Sequence, residues 1–144
     1  MPAITSRSAE LKIADILRRK TLSVTDSRKK ILSIFLQSPD ALTHSDIERK
    51  AGEKFDRVTV YRTLQTFVEK GIIHTIPTID NSILYALCKD CAEGHHHDDH
   101  VHFVCTHCQV TTCLDDVVSP QIQLPEGYQA TSVQVVIRGR CKNC

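Results

Sequence analysis

No apolar stretch in this sequence approaches membrane-spanning length, and residues 1 to 20 alternate apolar and charged positions instead of forming the apolar run of a secretory signal. A soluble, cytoplasmic protein without a membrane partner is therefore expected. The sequence also lacks an internal repeat, a His-Glu-x-x-His motif and any motif for a substrate pocket, which weakens an enzymatic reading. Even net charge is nearly missing, at +1. That small figure conceals a division: residues 1 to 70 carry 14 Lys and Arg against 9 Asp and Glu, whereas residues 71 to 144 carry 4 against 8. The basic half suits a polyanion and the acidic half a cation, although segregation of solvated side chains by chance would look the same.

What the chain does have is cysteine. At 144 residues it fits one ordinary domain or two small ones, and small domains commonly need a metal, a disulfide or a partner subunit to persist. Seven cysteines is an odd number, and eight histidines accompany them. In a reducing compartment that combination favours thiolate ligands over disulfides.

The first half has helical periodicity. Leu11, Ala14 and Leu17, with Ile13 and Ile16 beside them, predict an amphipathic helix from Ser8 to Lys20. Thr25 is suited to cap a helix that turns Ile31, Leu32, Phe35 and Leu36 inward, and Ser38-Pro39-Asp40 stops it. Thr43-His44-Ser45-Asp46 reads as a capping box opening a short helix to Ala51, ended by Gly52. Asp56 then caps a helix with an apolar stripe of Val60, Leu64, Phe67 and Val68; Tyr61, Arg62, Gln65 and Glu69 lie opposite, and Gly71 closes it. Two β-prone runs follow, Ile72 to Ile76 and Ser82 to Leu87, separated by a Pro77–Asn81 turn. Helices followed by a hairpin make a winged helix-turn-helix whose last helix is placed for a major groove. The alternative is a plain helical domain in which Tyr61 and Arg62 do nothing.

Residues 88 to 99 are polar and irregular and read as a hinge between domains at 1–87 and 100–144. Beyond it, Val101 to Cys105, Val110 to Leu114 and Thr131 to Ile137 read as strands, and Pro120, Pro125 and Gly127 keep any helix in Val117 to Tyr128 short.

The C-terminal half carries the ligand chemistry. Cys105 and Cys108 form one Cys-x-x-Cys pair and Cys141 and Cys144 another, with 32 residues between the pairs. Each spacing lets both sulfurs face one ion at about 2.3 Å, and two pairs close a tetrahedral structural zinc site. His100 and His102 alternate along a strand and so share a face, with Cα atoms about 6.5 Å apart. Cys113 lies on the adjoining strand, where it can face them. A fourth ligand is sought in the hinge, with Cys88 favoured and Cys91 or His97 as alternates; this set is expected to hold a second metal ion. His95, His96 and His97 otherwise read as solvated loop residues.

With the run Val58-Thr-Val-Tyr-Arg-Thr-Leu64, the His-x-His-x-x-Cys-x-x-Cys run and the terminal Cys-x-x-Cys in view, the chain resembles the ferric uptake regulator family along nearly its whole length. The resemblance implies an α+β protein: an N-terminal winged helix that binds double-stranded operator DNA, and a small C-terminal α/β domain that forms the homodimer around the four-cysteine zinc site, with regulatory metal between them. By position, Tyr61 and Arg62 correspond to the DNA-contacting pair of the recognition helix, with Arg57 and Thr59 beside them. Thr25 and Arg28 resemble the family's Thr-x-x-Arg. His100 and His102 match two regulatory ligands.

Two departures bear on the metal. Cys113 stands where many members have a carboxylate, and Val101 stands where many have Asp between the two histidines, so the family's additional site is not expected. Thiolate with imidazole favours zinc over Fe(II) or Mn(II). A zinc-responsive repressor of metal-homeostasis genes is the resulting expectation. The competing readings are an iron-responsive regulator, a thiol or peroxide sensor using Cys88, Cys91 and Cys113, and a zinc enzyme in which Asp98 or Asp99 serves as base.

Overall fold

The computed structural model describes residues 6–78, 80–87, 101–114, 116–131 and 133–144. It divides into two compact units, Met1–His95 and His96–Cys144. The hinge positions, including Cys88, Cys91, His97, Asp98 and Asp99, and the neighbouring His100 lie outside the described residues.

Four helices build the first unit: α1 Ser6–Arg19, α2 Asp26–Gln37, α3 His44–Ala51 and α4 Arg57–Glu69. Their starts follow the caps in the sequence. Thr25 accepts from the Arg28 amide, Asp56 accepts from the Thr59 amide, and Thr43 and Asp46 bond reciprocally in a complete capping box. Asp46 is held below the usual carboxylate range, first by the Thr43 hydroxyl and then by the Thr43 amide. The capping Asp56 carboxyl is also lowered, by its bonds from Thr59.

Leu17, Ile31, Leu32, Ile47, Val60, Leu64 and Phe67 are fully buried and join the helices into one core. Truncating Phe67 to Ala there would cost about 3–5 kcal/mol. The stripe on α4 differs from the expected one in one position. Val68 is exposed, and Thr63 turns inward instead, its hydroxyl satisfied by the Thr59 carbonyl at 2.8 Å.

Strands β2 (Ile73–Pro77) and β3 (Ile83–Leu87) form the hairpin, pairing Ile73 with Leu87 through Pro77 with Ile83. A two-residue strand, β1 (Leu42–Thr43), adds to the other edge of β3, giving the order β1-β3-β2. This third strand ties the start of α3 to the wing.

In the second unit, β4 (Val101–Cys105) is the central strand, antiparallel to β5 (Thr111–Leu114) and parallel to β6 (Val135–Gly139). The last strand lies further along the chain than Thr131 to Ile137. Parallel register pairs Val101 with Val135 and Cys105 with Gly139, so β6 runs until it reaches the Cys105 turn. No helix occurs among the described residues of 116–131, a stretch containing Pro120 and Pro125. Nor is any helix of the described residues long and apolar enough to cross a membrane.

Candidate metal centre and nucleic-acid face

Cys105 ends β4 and is buried, and the turn that follows carries Cys108. The turn is closed by the Gln109 amide donating to the Cys105 carbonyl at 3.0 Å and by the Cys105 amide donating to the Val110 carbonyl at 2.9 Å. Gln109 takes a positive φ of 62° to make it. Alongside, the Thr106 amide donates to the Gly139 carbonyl at 2.8 Å, which delivers the chain end to the turn. Gly139 lies against the Phe103 ring, which a Cβ there would meet at 3.4 Å, an ordinary contact distance.

Residues 141 to 144 then fold back so that all four sulfurs lie within 4.8 Å of one another. The Sγ atoms of Cys105 and Cys144 are 3.8 Å apart, those of Cys108 and Cys141 3.7 Å, and those of Cys141 and Cys144 3.4 Å. A tetrahedron with ligands about 2.3 Å from its centre has edges of roughly 3.8 Å. The observed spacing is therefore that of four thiolates around one zinc ion, and each of these cysteines is free of disulfide.

The electrostatics fit the same group. Amides of Cys108 and Cys141 each reach the Cys105 sulfur at 3.4 Å, and they lower its thiol to about 5. Cys144, whose thiol shares hydrogen bonds with the Cys141 and Cys108 sulfurs and lies beside Cys105, is pushed up to about 12. Four thiolates at this spacing repel one another, and a dication at their centre removes that conflict.

Elsewhere on the same sheet, His102 of β4 is directly opposite Cys113 of β5. His102 is 4% exposed and Cys113 half-buried. Of the expected regulatory set, this is the pair that the described residues bring together.

In the first unit, α4 separates into two faces. Its exposed side carries Arg57, Val58, Tyr61, Arg62 and Gln65, and Thr59 is half-buried. This side forms one wall of an open groove of about 670 Å³, which His44 and Ser45 of α3 and Asn81, Ser82 and Ile83 of the wing complete. The Nε2–H of Gln65 donates to the Tyr61 hydroxyl at 2.9 Å, and the His44 ring lies 6.2 Å from that of Tyr61. His44 Nδ1 is also 3.3 Å from the Glu48 carboxylate, which in turn lies 4.0 Å from Arg57 Nε. Sequence spacing placed His44 only in a capping box; its position beside Tyr61 depends on the packing of α3 against α4.

Thr25 and Arg28 are used locally. Thr25 caps α2, while the Arg28 guanidinium donates to the Ser23 carbonyl at 3.0 Å and to the Ser23 hydroxyl at 2.6 Å.

Comparison with known proteins places these features in context. A model of the ferric uptake regulator family matches residues 19–138. The chain is 30% identical over 105 residues to a zinc uptake regulation protein of Mycobacterium tuberculosis, covering 70% of this chain and 75% of that protein. It is 31% identical over 134 residues to a ferric uptake regulation protein of Vibrio vulnificus, covering 87% and 85%. Among solved structures, a zinc uptake regulator complexed with zinc and DNA superposes with a TM-score of 0.72 at 18% identity, over 97% of this chain and 95% of that one. At that identity the likeness speaks to fold alone.

Proposed function

The chain belongs to the ferric uptake regulator family, and from that premise we propose that it is a zinc-responsive transcriptional repressor that binds operator DNA as a cytoplasmic homodimer. Family membership removes the zinc-enzyme alternative, since these proteins are metal-responsive regulators. In this reading Cys105, Cys108, Cys141 and Cys144 hold a structural zinc that secures the C-terminal sheet. The regulatory metal is held by His102 and Cys113, with His100 and Cys88 completing the set and Cys91 or His97 as alternates. Tyr61, Arg62, Arg57 and Thr59 face the DNA, supported by Thr25 and Arg28.

The observation that carries the choice of metal is the register pair His102 and Cys113. Imidazole and thiolate on neighbouring strands form a soft donor set, and soft donors favour zinc over the oxygen-preferring Fe(II) and Mn(II). Occupancy of that set couples to DNA affinity by linkage: whatever the metal does to operator binding, the operator does equally to metal binding.

The test is operator affinity across a buffered zinc series, with Fe(II) in parallel under reducing conditions. Tightening within the zinc series supports the reading. Unchanged affinity, or tightening by iron alone, would sink the zinc assignment and leave an iron-responsive regulator.

A further inference from the structure

We propose that Gln65 is a positioning residue for DNA recognition, which fixes the Tyr61 hydroxyl as a hydrogen-bond donor toward the nucleic acid. The inference rests on the reading that the exposed face of α4 meets DNA. A phenol has one proton to give and two lone pairs to offer. Gln65 lies one helical turn beyond Tyr61, on the same face, and its amide Nε2–H donates to Tyr61 Oη at 2.9 Å. That bond occupies a lone pair and leaves the phenolic proton free.

The polarity matters because of what DNA presents. Phosphate oxygens only accept, and so do the N7, O6 and O4 atoms of the major-groove base edges. A tyrosine whose proton had been taken by a neighbouring acceptor would meet those atoms lone pair to lone pair. Tyr61 is 48% exposed, and both side chains line the groove between α4 and the wing, so the phenolic proton left free is accessible to a ligand in that groove. The His44 ring also lies near the phenol, with its centroid 6.2 Å away and tilted by 48°.

The test uses the full-length, zinc-loaded protein and a fluorescent duplex that the unaltered protein has selected from a random-sequence pool. Gln65→Leu removes the donor with little change of size, and Tyr61→Phe removes the proton. Each should weaken binding about three- to tenfold, the scale of one hydrogen bond. The double substitution should be no weaker than Tyr61→Phe alone, because the two act through one proton. Gln65→Glu, whose carboxylate captures that proton, should cost more with Tyr61 in place than when Tyr61→Phe is already present; the second background isolates the effect of the added charge. Additive losses, or wild-type affinity for Gln65→Leu while Tyr61→Ala binds weakly, would overturn the positioning role and leave the DNA face standing. Wild-type affinity for Tyr61→Ala would overturn both. Far-UV circular dichroism of each variant reports whether α4 is retained.

Discussion

His102 and Cys113 occupy directly opposed positions on antiparallel strands, so an imidazole and a thiol from sequence positions eleven apart are held side by side by the backbone ladder itself. Cα atoms opposed in this way lie only about 4.5–5.5 Å apart, within the span of two ligands to one ion. On the proposed reading, the sheet would preset half of the regulatory ligand set before any metal arrives. His102→Ala should abolish the dependence of operator affinity on zinc, while the cooperative thermal unfolding of the protein is retained. Calorimetry and a zinc-buffered binding titration check the two halves of that expectation.

The four-cysteine cluster should behave differently, because it closes β4 against β6 and the chain end. Cys108→Ser is expected to lower stability by about 3 kcal/mol or more, the scale on which structural metal sites contribute to folding. A strong chelator should do the same to the unaltered protein. Denaturant unfolding with zinc content measured on the same samples decides it: loss of zinc without loss of stability would separate the cluster from the fold.

Arg62 lies on the exposed face of α4, beside Tyr61. Arg62→Ala should weaken operator binding. If the guanidinium meets a phosphate, the slope of log affinity against log salt falls by about 1; if it meets a base edge, sequence preference relaxes instead. Binding at several salt concentrations to the selected duplex and to a scrambled one distinguishes these, and an unchanged value in both removes Arg62 from the interface.

Asp46 supplies a pH dependence in the first unit. Its carboxyl is lowered in the folded chain, chiefly by the Thr43 hydroxyl, so the unfolded state binds the proton more tightly. The resulting stability is fully present above the ordinary value of 3.8 and disappears as pH falls through the lower folded value. Thr43→Ala removes both the cap and that hydroxyl. It should cost about 1 kcal/mol at neutral pH, and the difference from the unaltered protein should shrink as the solution is acidified below the carboxylate range. Urea midpoints at pH 7 and pH 3 measure it.

Local chemistry and metal-ligand spacing were legible in the sequence, and strand register was not. Thr25, the Thr43–Asp46 box and Asp56 start their helices as their spacing indicates, and Gly52 and Gly71 take positive φ at 82° and 69° where two helices end. These features depend on residues within one turn of each other. The four cysteines were equally legible, because zinc geometry constrains their spacing. By contrast, β1 is two residues long and exists only because β3 lies beside it, which no local pattern encodes. The start of β6 at Val135 depends on parallel register with β4, which pairs residues more than thirty positions apart. Burial of Thr63 in place of Val68 is of the same kind. A threonine that satisfies its own hydroxyl within the helix can occupy an apolar face, and hydrophobicity alone ranks it too low.

Metal content per chain tests the central claim most directly. Purified under reducing conditions and saturated with zinc, the unaltered protein should hold two ions per chain, and Cys113→Ser should hold one, with the four-cysteine ion retained. Two ions in the Cys113→Ser protein, or a single ion in the unaltered one, would contradict a separate regulatory site built on His102 and Cys113.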